Sequence, residues 1–142
     1  MSVEIVTVDA WPPPRGYVNG AVGTGRTLHV AGQVGWLPDG SFPHADLVGQ
    51  FGLALDNVLA VVAAAGGAPT SIASMTVYVT DADEYRRTVR DLGPVWRERM
   101  GRHYPAMALV AVAALVETGA KVEIQAVAYL DDAPAVPAQG QP

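Results

Sequence analysis

The segment from Asp46 to Gly67 constrains the fold more than any other. Leu47, Phe51, Leu55, Val58, Leu59 and Val62 recur at three- and four-residue spacing, which predicts one apolar stripe along a helix. Asp46 stands where a side-chain oxygen can cap the first turn, and Gly66-Gly67 offer the left-handed geometry that ends such a helix. Gln50, Asp56 and Asn57 fall on the opposite face among many alanines. That small-residue surface suits close approach to a sheet or partner, although helix propensity accounts for alanine equally well. Directly afterwards, Ile72 to Thr80 changes to β-branched and aromatic residues with period two and predicts a buried strand. A striped helix running into an apolar strand calls for a sheet that the helix can cover.

The remaining elements fit that scheme. Asp81 or Asp83 caps a second helix, with Tyr85, Val89, Leu92, Trp96 and Met100 inward and Arg86, Arg87, Arg90, Arg97 and Arg99 mainly on the wet side. Pro94 lacks an N–H, so Gly93-Pro94 is expected to divide it into two linked pieces. Val3 to Val8 reads as a strand, whereas the prolines of WPPPRG exclude ladder pairing from Trp11 to Gly16. YVNGAV and TLHVAG, separated by a turn near Gly23 and Gly25, predict a hairpin. Pro38-Asp39-Gly40 marks a further turn. Two last strands are expected near Met107 to Ala113 and at Lys121 to Leu130, joined through Glu117-Thr118-Gly119. In the final strand Val122, Ile124, Ala126, Ala128 and Leu130 share one side, leaving Glu123, Gln125, Val127 and Tyr129 on the other. The order β-β-β-α-β-α-β-β predicts an α+β fold with two main helices on one face of a mixed sheet, without internal repeats.

Length and composition narrow the class. A chain of 142 residues suits one domain, placed at residues 1–130, with DDAPAVPAQGQP at 131–142 read as a flexible tail. Half the residues are apolar and 16% are charged, which favours order and leaves apolar surface for a subunit interface. A formal net charge of -5 with no basic stripe argues against nucleic acid as a partner. Without cysteine there are no disulfides, thiolate nucleophiles or cysteine metal ligands. The N-terminus lacks the pattern of a signal peptide, and no window reads as an uninterrupted membrane span, so cytoplasmic residence is the expectation.

Few residues announce chemistry. There is no phosphate-binding loop, and Gly20, Gly23 and Gly25 do not make a dinucleotide fingerprint. His29, His44 and His103 have no metal-ligand spacing, and Ser71 and Ser74 have no nucleophile elbow. Glu123 is the strongest candidate for proton transfer or for orienting water, against the simpler role of a surface or interface glutamate paired with Lys or Arg. Tyr17 can donate a hydrogen bond or form a pocket wall, against ordinary strand packing. Arg15, Trp36, Arg102, His103 and Tyr104 offer anion or aromatic contacts, but no sequence rule brings them together.

Five segments carry a resemblance: RGYVNGA at Arg15 to Ala21, VAGQV at Val30 to Val34, QFGLALDNVLAVVAAAGG at Gln50 to Gly67, YPAMALVAVAAL at Tyr104 to Leu115, and KVEIQAVAYL at Lys121 to Leu130. In order and spacing they resemble the YjgF/YER057c/UK114 family, the Rid family of reactive-intermediate deaminases, over Val3 to Leu130. The resemblance implies a chorismate-mutase-like subunit and a homotrimer with small-molecule pockets between neighbours. It also implies hydrolysis of 2-enamines and 2-imines to 2-keto acids and ammonia, with no metal and no cofactor. By motif position Tyr17 matches the pocket tyrosine, Gly32 lies in the segment whose backbone lines the site, Glu123 matches the water-positioning carboxylate, and Tyr104 takes the aromatic position before the signature proline.

Met107 breaks the pattern. The family signature carries arginine there, a planar donor fork for the substrate carboxylate, whereas methionine supplies bulk without charge. Burying a carboxylate against it costs several kcal/mol unless another donor, such as Arg15 or Arg102, reaches the site. Leu109 and Ala111 replace cysteine and glutamate of the signature, so a less polar substrate-binding pocket is expected. The resulting expectation is a divergent enzyme for a small imine, enamine or related carbonyl compound, assisted by Glu123, with weak or absent 2-imino-acid deamination. The alternative is a non-catalytic, ligand-binding or regulatory member of the family.

Overall fold

The computed structural model describes residues 2–132, and both long helices begin on the caps that their sequences predict. Helix α1 spans Leu47–Ala64, and the Asp46 carboxylate accepts from the Gly49 N–H at 3.1 Å. At its far end Gly66 takes a φ of 88°, and the N–H groups of Gly66 and Gly67 return to the carbonyls of Ala63 and Val62, each at 2.9 Å. This closes the helix as a Schellman motif. Helix α2 spans Ala82–Met100 on an Asp81 cap that accepts from the N–H groups of Asp83 and Glu84.

The strands are β1 (Val3–Val6), β2 (Gly20–Gly23), β3 (Arg26–Val34), β4 (Ile72–Val79), β5 (Ala106–Ala111) and β6 (Val122–Leu130). Four of them form a mixed sheet in the order β3-β6-β4-β5, in which β4 and β5 are parallel and the other neighbours antiparallel. A parallel pair needs a crossover, and α2 supplies it. Beneath the helices Ile72, Val77, Val79, Val122, Ile124 and Ala128 are fully buried, and α1 meets them with Leu55, Val58 and Val62. By length and composition alone α1, with a mean hydropathy of 1.7, would pass for a membrane span, although Gln50, Asp56 and Asn57 interrupt it. Its stripe instead packs on β3, β6 and α2.

Several expectations need correction. The predicted hairpin does not form: β2 pairs antiparallel with β1 in a separate two-stranded sheet, and β3 pairs with β6. A glycine-bearing turn specifies only that the chain changes direction, and the long β3 finds its complementary strand far away in sequence. Helix α2 is continuous through Pro94 rather than divided. Pro94 and Arg90, whose carbonyl loses its helical partner, both lie on the exposed side, while Leu92, Trp96 and Met100 anchor both halves in the core. Gln50, expected on the face opposite the apolar stripe, is only 1% exposed. Its amide nitrogen donates to the carbonyls of His44 (3.0 Å) and Gly119 (2.8 Å), and its oxygen accepts from the Lys121 N–H at 2.7 Å. Three backbone groups that a connection would leave unpaired are thereby satisfied. Of the expected tail, Asp131 is tied down, accepting from Ser2 Oγ at 2.9 Å and, through its carbonyl, from Arg26 Nε at 3.0 Å. Residues 133–142 lie outside the described residues.

Candidate functional site

The crossover leaves a gap. Helix α2 rests on α1 along one side, and between α2 and the β4–β5 edge lies a cavity of about 270 Å³. Strand register decides its floor: Met75 pairs with Met107 and Val77 with Leu109, so these side chains point toward the helices. Val77, Met107 and Leu109 form that floor, and Tyr85, Val89, Leu92 and Trp96 of α2 form the opposite wall. Tyr104 closes one end, its ring stacked on Trp96 with centroids 5.9 Å apart and planes 6° from parallel. The Trp96 indole N–H donates to the His103 carbonyl at 3.1 Å, and the His103 ring bonds the Ile72 carbonyl at 2.7 Å. These bonds hold the aromatic pair in place. Arg97, beside Gly93, is the only charged residue among the described residues that line the cavity.

Glu123 lies on the other side of the sheet. It pairs with Tyr78 of β4 and alternates with the buried Val122 and Ile124, so its carboxylate points away from both helices. There it packs on Gly32: a β-carbon at position 32 would fall 2.9 Å from the carboxyl carbon of Glu123. Only glycine allows this approach, which occurs where the β3–β6 register shifts between Val30 and Gln33. Lys121, the cation nearest along the strand, is turned to Glu84 at 2.9 Å. Among the described residues no donor bonds the Glu123 carboxylate, so the simpler role of a paired surface glutamate does not describe it within one chain.

The residues singled out from sequence therefore fall into groups. Tyr104, Met107 and Leu109 meet at the cavity, and Gly32 meets Glu123. Tyr17 is 43% exposed beside the start of β5, where the Val18 N–H donates to the Pro105 carbonyl at 3.2 Å. Trp36 packs on Phe42 at 6.0 Å and lines a different cavity with Gln33 and Asn57. Arg15 and Arg102 are exposed, and neither lines the α2–β5 cavity. Sequence reasoning assigned Tyr85, Leu92 and Trp96 to the core and Arg97 to the wet surface. The available signal was Gly93 within the apolar stripe, four residues before Arg97, where a missing side chain makes room. Among the described residues no three His, Asp or Glu side chains come together as a metal site.

A mixed sheet with two helices on one face and a cleft under the crossover helix defines an α+β architecture of the RidA/YjgF type. A family model described as "Endoribonuclease L-PSP" matches residues 7–130. The chain belongs to the YjgF/YER057c/UK114, or Rid, family. A RutC family protein of Pyrococcus horikoshii is 29% identical over 127 residues, covering 89% of this chain and 97% of that one. A bovine 2-iminobutanoate/2-iminopropanoate deaminase is 31% identical over 126 residues, covering 88% of each. Among solved structures, the Rid-family protein YyfB of Yersinia pestis superposes with a TM-score of 0.80 at 27% identity, over 92% of this chain and all of that one (100%). Escherichia coli TdcF with bound serine gives 0.66 at 32% identity, over 90% and 99%. At family level these matches support a Rid-type deaminase or hydrolase acting on small reactive intermediates.

Proposed function

We propose that the chain is a divergent Rid hydrolase for a small, largely apolar imine or enamine that carries no carboxylate beside the reacting carbon. The observation that carries this reading is the cavity floor of Val77, Met107 and Leu109, whose side chains offer no donor to an anion. A carboxylate held there would lose its hydration without gaining a charged donor. An apolar substituent would fit against the same floor and the Trp96–Tyr104 pair.

The proposed reaction needs only water. Water adds across C=N, the Glu123 carboxylate takes a proton from it, and that proton returns to the nitrogen as the C–N bond breaks. Ammonia and a carbonyl compound leave, and an enamine enters the same route after protonation at carbon. Tyr17 donates a hydrogen bond to the reacting group in this scheme. Because Glu123 and Met107 project from opposite faces of one sheet, the reading assigns the acid–base group to a neighbouring copy. The helix-free face supports such assembly through Val110, which is 44% exposed, and the β1–β2 ribbon adds exposed Ile5, Val6 and Val22. A homotrimer is the proposed state.

Ammonia release tests the proposal. Freshly generated 2-aminoacrylate should turn over at least about 10-fold more slowly than with the bovine deaminase measured alongside, the loss expected when a charge-assisted carboxylate contact is missing. A carboxylate-free imine should turn over well. Glu123→Gln should lower kcat by roughly 100-fold or more. Equal rates on 2-aminoacrylate would sink the substrate reading. Saturable ligand binding without turnover of any imine would leave a binding protein instead.

A further inference from the structure

The cavity holds one cation, on its helical wall. We infer that Arg97 binds a carboxylate at the mouth of this cavity, so that the ligand is an amphiphilic acid with an apolar, ring-sized body inside and its anionic group against α2. This rests on the cavity being the ligand site and refines the class of ligand it takes.

Three observations converge on Arg97. Among the described residues it alone brings charge to a lining otherwise built from apolar and aromatic residues and glycine. Its guanidinium lies back over Gly93, where a β-carbon would stand 3.2 Å from Nη1 and 3.8 Å from Cζ. The glycine thus gives the donor fork a resting place at the rim instead of leaving it to extend into solvent. The Arg97 side chain also has no ion pair or hydrogen bond with another described residue, which is equally true of Arg87 and Arg90, but of these three only Arg97 lines the cavity. Arg99 is held in two-point contact by Asp56 at 2.7 and 3.2 Å, and Arg86 by Asp83 at 2.8 Å. Arg97 is exposed at the rim, and a planar fork left open there suits a carboxylate because it can offer two parallel donors to the two oxygens. The cation therefore sits across the cavity from position 107. A carboxylate held there is separated by the ligand body from the group lying on Met107, which accommodates an acid without placing it beside the reacting carbon.

Titration calorimetry on the full chain at low ionic strength, with 3-phenylpropanoate and its neutral analogue 3-phenylpropanamide, tests the inference. The acid should bind about tenfold more tightly than the amide, as one charge-assisted contact provides. Arg97→Gln should erase that preference, while Arg97→Lys should restore part of it. Equal binding of the two probes, no binding of either, or a preference that survives in Arg97→Gln would overturn it. Hydrolysis is read by ammonia release, so an acid preference without turnover would reject only the hydrolase reading. Turnover without an acid preference would reject only the role of Arg97.

Discussion

The two sides of strand β6 meet opposite surroundings. Toward the helices it presents Val122, Ile124, Ala126 and Ala128, all buried and packed against α1 and β4. Away from them it presents Glu123, Gln125 and Val127, on a face without helices where Tyr78 Oη donates to Gln125 Oε1 at 3.1 Å and Val110 stays exposed. One strand thus separates the residues that hold the fold from those free to act. An ionisable group can occupy position 123 because its neighbours at 122 and 124 have taken over the burial.

Substitutions on the two faces put the contrast at risk. Ile124→Ala should cost about 3 kcal/mol in urea unfolding, as truncation of a fully buried side chain does, whereas Gln125→Ala next to it should cost less than about 0.5 kcal/mol. Similar losses at both sites would erase the distinction. Gln50→Leu tests the polar part of the covered side. Leaving the Lys121 N–H and the carbonyls of His44 and Gly119 without their partner should cost about 2 kcal/mol despite the gain in apolar volume. Val110→Asp should barely change monomer stability and yet dissociate the proposed assembly, seen as a fall in sedimentation coefficient. An unchanged coefficient would assign the helix-free face no part in assembly.

The smallest effect concerns the cap of the helix that roofs the cavity. Hydrogen bonds from the backbone N–H groups of Glu84 and Asp83 hold the Asp81 carboxyl below its ordinary value of 3.8, the Glu84 contribution being the larger. A carboxyl whose folded-state pKa is lowered stabilises the fold above its unfolded pKa and loses that contribution as pH falls through the folded value. Asp81→Ala should therefore reduce stability slightly at pH 5. The gap between variant and parent should close as the pH is taken below about 3.8. A gap that stays constant with pH would mean that the carboxylate charge contributes nothing to the cap.

Much of this architecture was legible because it depends on short-range rules. The side assignment of every residue from Val122 to Leu130 followed from period two, and both helix starts followed from Asp46 and Asp81. Errors arose where a distant partner decided the outcome. The helical pattern sets Gln50 apart from the apolar stripe but does not name His44, Gly119 and Lys121 as its partners, and the local turn pairs β3 with β2 where the structure pairs it with β6. The site was less legible than the fold. Its chemical departure, Met107, could be read directly against the resemblance. Its shape could not, because a cavity is a space left between elements and no run of residues spells it out.

By itself the sequence determined the element order, the inward and outward faces, the capped helix starts and the loss of a cation at position 107. Those properties arise from backbone periodicity, local hydrogen bonding and residue chemistry. Only the tertiary structure decided that Glu123 rests on Gly32 across the sheet from Met107, and that Arg97 lies over Gly93 at the rim of the cavity. These placements depend on strand order and on the seat of the crossover helix, which are set by packing among residues far apart along the chain.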